Sequence, residues 1–153
     1  MPNSNNKPEF KYNQGEYCVE KVRSRPNREE YTICKKNSRG KVLAVNHIRF
    51  WDYNKVDFGI FTFENRMGHG KEMLKFSFSM LEDMVDFFEE EYKHMDTFTP
   101  LGERTLKEMY EENGYTEKGE YMIKTYIPRK KQVANSWVYY QIGKYLEKVK
   151  KDI

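Results

Sequence analysis

Hydrophobic and polar positions divide the chain into two regimes. Between residues 17 and 63 the apolar residues come in short β-prone runs, 17–22, 31–35, 42–50 and 56–63, separated by the turn-forming stretches Arg-Pro-Asn, Asn-Ser-Arg-Gly and Asp-Tyr-Asn-Lys. Connections this short join antiparallel neighbours, so the pattern predicts a meander of four strands. Within 41–50 the alternation of Val42, Ala44 and His47 with Leu43, Val45 and Ile48 is imperfect and assigns neither face to a core.

Beyond Gly70 the period lengthens. Leu74, Phe78, Leu81, Val85, Phe88 and Tyr92 follow one another at spacings of 4, 3, 4, 3 and 4, and Glu82, Asp86, Glu89 and Lys93 fall on the other side, the pattern of a helix buried on one face. A run at 94–99, stopped by Pro100, has the length of one strand. Residues 103–113 read as a shorter helix closed by Gly114 in the left-handed conformation. Residues 119–127 alternate again, Tyr121, Ile123 and Thr125 against Met122, Lys124 and Tyr126. Ser136 is placed to cap a final amphipathic helix, 136–150, with Val138, Ile142, Leu146 and Val149 on one face and Trp137, Tyr140 and Tyr145 beside it. The first fifteen residues, rich in Asn, Ser, Pro and Lys, have no period. The expected organisation is a flexible arm at 1–15, one α+β domain at 16–131 (four strands, helix, strand, helix, strand), and a C-terminal helix at 132–153 packed on the domain or at a dimer interface.

Composition narrows the class. The 153 residues suffice for one domain. Mean hydropathy is low, -0.96, but 10 Phe, 12 Tyr, 8 Met and 2 Trp can bury large areas. No run approaches a membrane span and the polar start MPNSNNKPEF lacks an apolar signal core, so the expected location is cytoplasmic with no membrane partner. Cys18 and Cys34 lack metal-ligand spacing, so no metal site is expected and both are read as free thiols on neighbouring strands. The net charge of +3 conceals a segmental pattern: 14 basic and 8 acidic groups in 1–71, 4 and 13 in 72–117, and 9 and 3 in 118–153. A strongly acidic centre speaks against nucleic acid as the partner.

Candidate chemistry concentrates at Val56-Asp-Phe-Gly-Ile-Phe-Thr-Phe-Glu-Asn-Arg-Met-Gly-His-Gly-Lys-Glu-Met-Leu74, where a strand runs through a glycine-containing loop into the long helix. Unpaired N–H groups and the positive dipole end at the helix start suit a phosphate or pyrophosphate, Gly68 and Gly70 let a ligand approach the backbone, and Arg66 and Lys71 add charge. An ordinary tight turn is the alternative reading of Gly-His-Gly. Dinucleotide-fold and P-loop readings fail, because neither Gly-x-Gly-x-x-Gly nor Gly-Lys-Ser/Thr is present.

This junction together with Leu106-Lys-Glu-Met-Tyr-Glu-Glu-Asn-Gly-Tyr115 resembles the GNAT superfamily of acyl-CoA-dependent N-acyltransferases, over roughly residues 30–127. In that family the loop is commonly Arg/Gln-x-x-Gly-x-Gly/Ala and the later helix often reads Leu-Tyr-x-x-x-Gly-Phe, here Met109-Tyr110-Glu-Glu-Asn-Gly114-Tyr115. The resemblance implies a mixed, largely antiparallel sheet splayed open at the strand ending near Phe63, with the pantetheine arm of acetyl-CoA in the opening. It implies cofactor contacts from Phe61 and Phe63 on the strand and from Asn65, Arg66, Met67, Gly68, His69, Gly70 and Lys71 in the loop. It also implies Tyr110 as the acid that protonates the leaving thiolate; a core aromatic is the alternative. A general base should lie on or beside the splayed strand, where Asp57 leads over Asp52, His47 and His69.

Three departures stand out. Asn65 occupies the usual Arg/Gln position with Arg66 one place later, Glu103 replaces a frequent Asn, and residues 24–30 leave no room for the two helices that commonly shape the acceptor pocket. The implied function is transfer of acetyl from acetyl-CoA to a primary amine, whether of a small molecule, a protein lysine or an N-terminus, in a possible homodimer. The rivals are a catalytically inactive GNAT-fold binding or inhibitory module, and a small nucleic-acid binder using Arg23, Arg25, Arg28 and Arg129-Lys130-Lys131.

Overall fold

The structure, a computed structural model, describes residues 9–63, 68–97 and 103–151. The strands β1 (Tyr12–Gln14), β2 (Tyr17–Arg25), β3 (Arg28–Lys36), β4 (Val42–Trp51) and β5 (Lys55–Thr62) precede the long helix α1 (His69–Phe88). They are followed by β6 (Tyr92–Thr97), α2 (Glu103–Glu112), the hairpin β7 (Thr116–Lys118) and β8 (Tyr121–Tyr126), and α3 (Arg129–Lys151). The strands form one sheet in the order β1-β2-β3-β4-β5-β6-β8-β7, antiparallel throughout except at β5–β6. This is the α+β class expected, with a largely antiparallel mixed sheet.

The ambiguous strand resolves into strict alternation. Ala44, Asn46, Ile48 and Phe50 are buried beneath α1, and Val45, His47, Arg49 and Trp51 stand on the opposite face. A polar residue at a core position had hidden the period. Asn46 Nδ2 donates to Ser77 Oγ at 2.8 Å and Ser77 Oγ donates to the Met73 carbonyl at 2.6 Å, so the buried amide donor and hydroxyl are both partnered.

Helix α1 buries Met73, Leu74, Phe78, Met80, Leu81, Met84 and Val85 against this face, roughly 1.5–3 kcal/mol for each large side chain. It stops at Phe88, so Tyr92 belongs to β6. Glu89 takes the left-handed conformation (φ 57), and the Glu89-Glu90-Glu91 run would place three negative charges at the negative end of the helix dipole.

Three differences from expectation have clear causes. Residues 9–14 are part of the fold: Phe10 is buried, edge-on to Phe87 at 5.3 Å, and β1 pairs with β2. The flexible-arm expectation therefore fails for that stretch, while residues 1–8 lie outside the described residues. The C-terminal helix begins at Arg129, seven residues before Ser136, because Arg129 reaches the acidic flank of α1 at Asp86 (2.8 Å) and Asp83 (3.6 Å). From Trp137 to Val149 its apolar side chains remain 39–75% exposed, so α3 does not cover the sheet. Lastly, Thr116-Glu-Lys118 forms an edge strand that has no apolar alternation to announce it.

Candidate functional site

Strands β5 and β6 pair over only two steps, Lys55↔Lys93 and Val56↔His94. Beyond them β5 stays on β4 and β6 stays on β8, so the sheet opens between Asp57–Thr62 and 95–97 and leaves two backbone edges facing a cleft. The splay anticipated at this strand is present.

One wall of the cleft comes from α2. Its end is a Schellman motif: Tyr115 N–H donates to the Tyr110 carbonyl (2.9 Å), Gly114 N–H donates to the Glu111 carbonyl (3.1 Å), and Gly114 takes φ 88. This turn sets the rings of Tyr110 and Tyr115 edge-on at 5.1 Å, each also packed on Phe78 of α1. From there the Tyr110 hydroxyl donates to Asp96 Oδ2 of β6 at 2.5 Å. Burial raises the Asp96 carboxyl above its ordinary value against the opposing hydrogen bond from Tyr110. Burial and the Asp96 charge together hold the Tyr110 phenol well above its own.

Behind this pair, His94 Nδ1 lies 2.5 Å from the Tyr115 hydroxyl, which lies 2.6 Å from that of Tyr126. Burial pushes His94 down to about 3, so the imidazole is neutral, and Phe58 of the splayed strand packs on it, tilted, at 4.0 Å between ring centres.

At the head of the cleft, α1 starts after Gly68, whose φ of 77 is accessible to glycine at little cost and which provides no side-chain cap. Gly70 lies so close to the end of β5 that a Cβ there would meet Thr62 Cγ2 at 3.4 Å. Lys35, buried on β3, reaches this turn, hydrogen-bonding Glu72 and lying 3.2 Å from His69 Nδ1. The hydrogen bond from Lys35 holds the Glu72 carboxyl below its usual range. Lys71 is exposed beside it. Asn65, Arg66 and Met67 lie outside the described residues.

The remaining candidates stand on the other face. Phe61 and Phe63 are exposed and edge-on at 5.0 Å. Asp57, cross-strand from Arg49, accepts hydrogen bonds from Arg49 Nε (2.7 Å) and Trp51 Nε1 (3.0 Å). Asp57 and Tyr110 therefore lie on opposite sides of the sheet, and the carboxylate that Tyr110 meets is Asp96. Among the other candidate bases, His47 is tied to Thr32 (3.3 Å) and Glu30 (3.2 Å), and Asp52 sits in the exposed turn after β4. The arginines of the nucleic-acid reading are engaged: Arg23, Arg25 and Arg28 surround the buried Glu30, at 3.4, 3.8 and 3.1 Å. Among the described residues no helix is long and apolar enough to cross a membrane.

Strand parity would have found Asp96 and Lys35. Asp96 shares a face with buried Tyr92 and His94, and Lys35 with buried Tyr31 and Ile33, so each is a charged residue in a core row. A charge in such a position needs a partner.

No protein-family model matches the chain, and no curated protein matches it. Similar solved structures include a spermidine N-acetyltransferase from Vibrio cholerae in complex with CoA and spermine (12% identity, 63% of this chain and 66% of that one, TM-score 0.42). A spermidine/spermine N-acetyltransferase of the same organism with manganese ions is similar at 13% identity, 72% and 71% coverage and TM-score 0.45. A cAMP-binding acyltransferase from Mycobacterium smegmatis is similar at 8% identity, over 67% of this chain and 31% of that one, with TM-score 0.43. The match spans just under two thirds of the first of these. The strand order has a single parallel junction, β5–β6, and the sheet splays there.

Proposed function

We propose that this chain is an acyl-CoA-dependent N-acyltransferase that moves an acetyl group from acetyl-CoA to a primary amine by direct attack. The observation that carries this reading is the β5–β6 cleft, with the Tyr110–Asp96 pair in its wall and the uncapped start of α1 at its head. The pyrophosphate would accept hydrogen bonds from first-turn N–H groups of α1, with Lys71 and Lys35 beside it, and the pantetheine amides would pair with the free edge of β5. The amine nitrogen attacks the thioester carbonyl, the C–S bond breaks, and the thiolate takes the Tyr110 proton. Burial disfavours the charged form of the phenol, and it would disfavour that of a thiolate in the same cleft. Asp96 accepts the Tyr110 hydroxyl hydrogen before the reaction, so the hydroxyl turns from Asp96 to the thiolate for the transfer. Asp57, on the opposite face, is the candidate base for an amine arriving from that side.

A binding module is the second reading. Only Pro26-Asn27 separates β2 from β3, which leaves no acceptor-shaping helices, and α3 does not replace them. Release of CoA thiol from acetyl-CoA, followed colorimetrically with spermidine, a lysine peptide and an N-terminal peptide as acceptors, tests the proposal. Amine-dependent release supports transfer; acetyl-CoA binding without release for any acceptor supports the module.

A further inference from the structure

We propose that Cys18 and Cys34 form a dithiol that closes reversibly to an intramolecular disulfide through exchange with a low-molecular-weight disulfide. The two residues are direct cross-strand partners in the β2–β3 ladder. Two residues along the same ladder, Lys36 N–H donates to the Glu16 carbonyl at 2.7 Å, and because such bonds recur at alternate pairs, Cys18 and Cys34 are themselves a hydrogen-bonded pair. That pair type sets the Cα atoms about 5.5 Å apart, inside the roughly 4.4–6.8 Å span of disulfides. The nearness of Cys18 adds to burial in raising the Cys34 thiol.

Their position permits closure without disturbing the core. Cys18 and Cys34 lie in the cross-strand row that continues to Val45 and Phe61, on the face away from α1, whereas their neighbours Val19 and Ile33 point into the core. Both are free and only half-buried. Cys18 borders an open depression between Gly15 and Gly40, through which a small reagent reaches it. Burial raises the Cys34 thiol, and Cys18 is the one that lines the depression and meets the reagent first.

The exchange balances in two steps. The Cys18 thiolate attacks one sulfur of RS–SR, and RS⁻ departs and takes up a proton. The Cys34 thiolate then attacks the Cys18 sulfur, and the second RS⁻ departs as RSH. Two protein thiols are oxidised to one disulfide and RS–SR is reduced to two RSH.

The test treats the full chain with excess oxidised glutathione. The expected product has no free thiol, a mass lower by two hydrogen atoms, no adduct, a proteolytic peptide linking Cys18 to Cys34, and full reversal by dithiothreitol. Cys34→Ser should stop at one glutathione adduct on Cys18. Two persisting thiols, stable glutathione adducts on the unsubstituted chain, or chains linked to one another would each overturn the proposal. The mass and peptide map of the unsubstituted chain decide it even where the serine variant fails to fold.

Discussion

The Tyr110 hydroxyl donates a 2.5 Å hydrogen bond to Asp96 Oδ2, joining the helix α2 to the strand β6 at the wall of the cleft. If Tyr110 is the acid, Tyr110→Phe keeps the ring packing and lowers kcat about 10²-fold or more with little change in KM for acetyl-CoA. Asp96→Asn preserves the shape but removes the charge, so the Tyr110 phenol falls toward its ordinary value and the pH dependence of kcat shifts while acetyl-CoA affinity holds. Steady-state kinetics across pH check both variants. Unchanged turnover in Tyr110→Phe would assign that ring to the core alone.

His94 makes stability acid-sensitive. Its folded value is depressed to about 3 from 6.5, so stability is fully present above the unfolded value. As pH falls below 6.5, the unfolded chain takes up a proton that the folded chain refuses, at about 1.4 kcal/mol per pH unit, or roughly 2 kcal/mol by pH 5. Urea unfolding of the full chain and of His94→Gln between pH 7.5 and 5 should show the variant losing less stability over that interval.

Gly68 and Gly70 should separate folding from binding. Gly68→Ala forces a Cβ into φ 77 and costs about 1–2 kcal/mol in urea unfolding, although open space surrounds it. Gly70→Val is sterically crowded against Thr62 and places a branched side chain at the first turn of α1. It should leave circular dichroism nearly unchanged and abolish acetyl-CoA binding. Binding that persists in Gly70→Val would move the phosphate cradle elsewhere.

The α3 stripe of Val138, Ile142, Leu146 and Val149 is exposed along its length, and an apolar stripe this long needs cover. With a second copy as the cover, across a two-fold axis, the full chain sediments as a dimer at tens of micromolar. Ile142→Asp with Leu146→Asp then returns it to monomer with the fold intact. A monomeric unsubstituted chain would contradict this.

Elements with a strong period were legible in the sequence, and contacts made by polar residues in core rows were not. The spacing from Leu74 to Val85 fixed the face of α1, and Met109-Tyr110 with Gly114-Tyr115 located the α2 end that aims Tyr110. Periodicity failed where a polar residue occupied a core position, as Asn46 does, and where charge ended a helix that hydrophobicity would have continued, as at Glu89. Arg129 set the start of α3 through carboxylates more than 40 residues away, a pairing that no local signal carries. An isolated Asp in a short strand has no motif, and only its parity with His94 marks Asp96.

Calorimetric titration of the full chain with acetyl-CoA tests the central claim most directly. Saturable binding at micromolar to sub-millimolar concentration, lost in Gly70→Val and kept in Tyr110→Phe, is the predicted result. No heat at millimolar acetyl-CoA would contradict the acyl-CoA reading of the cleft.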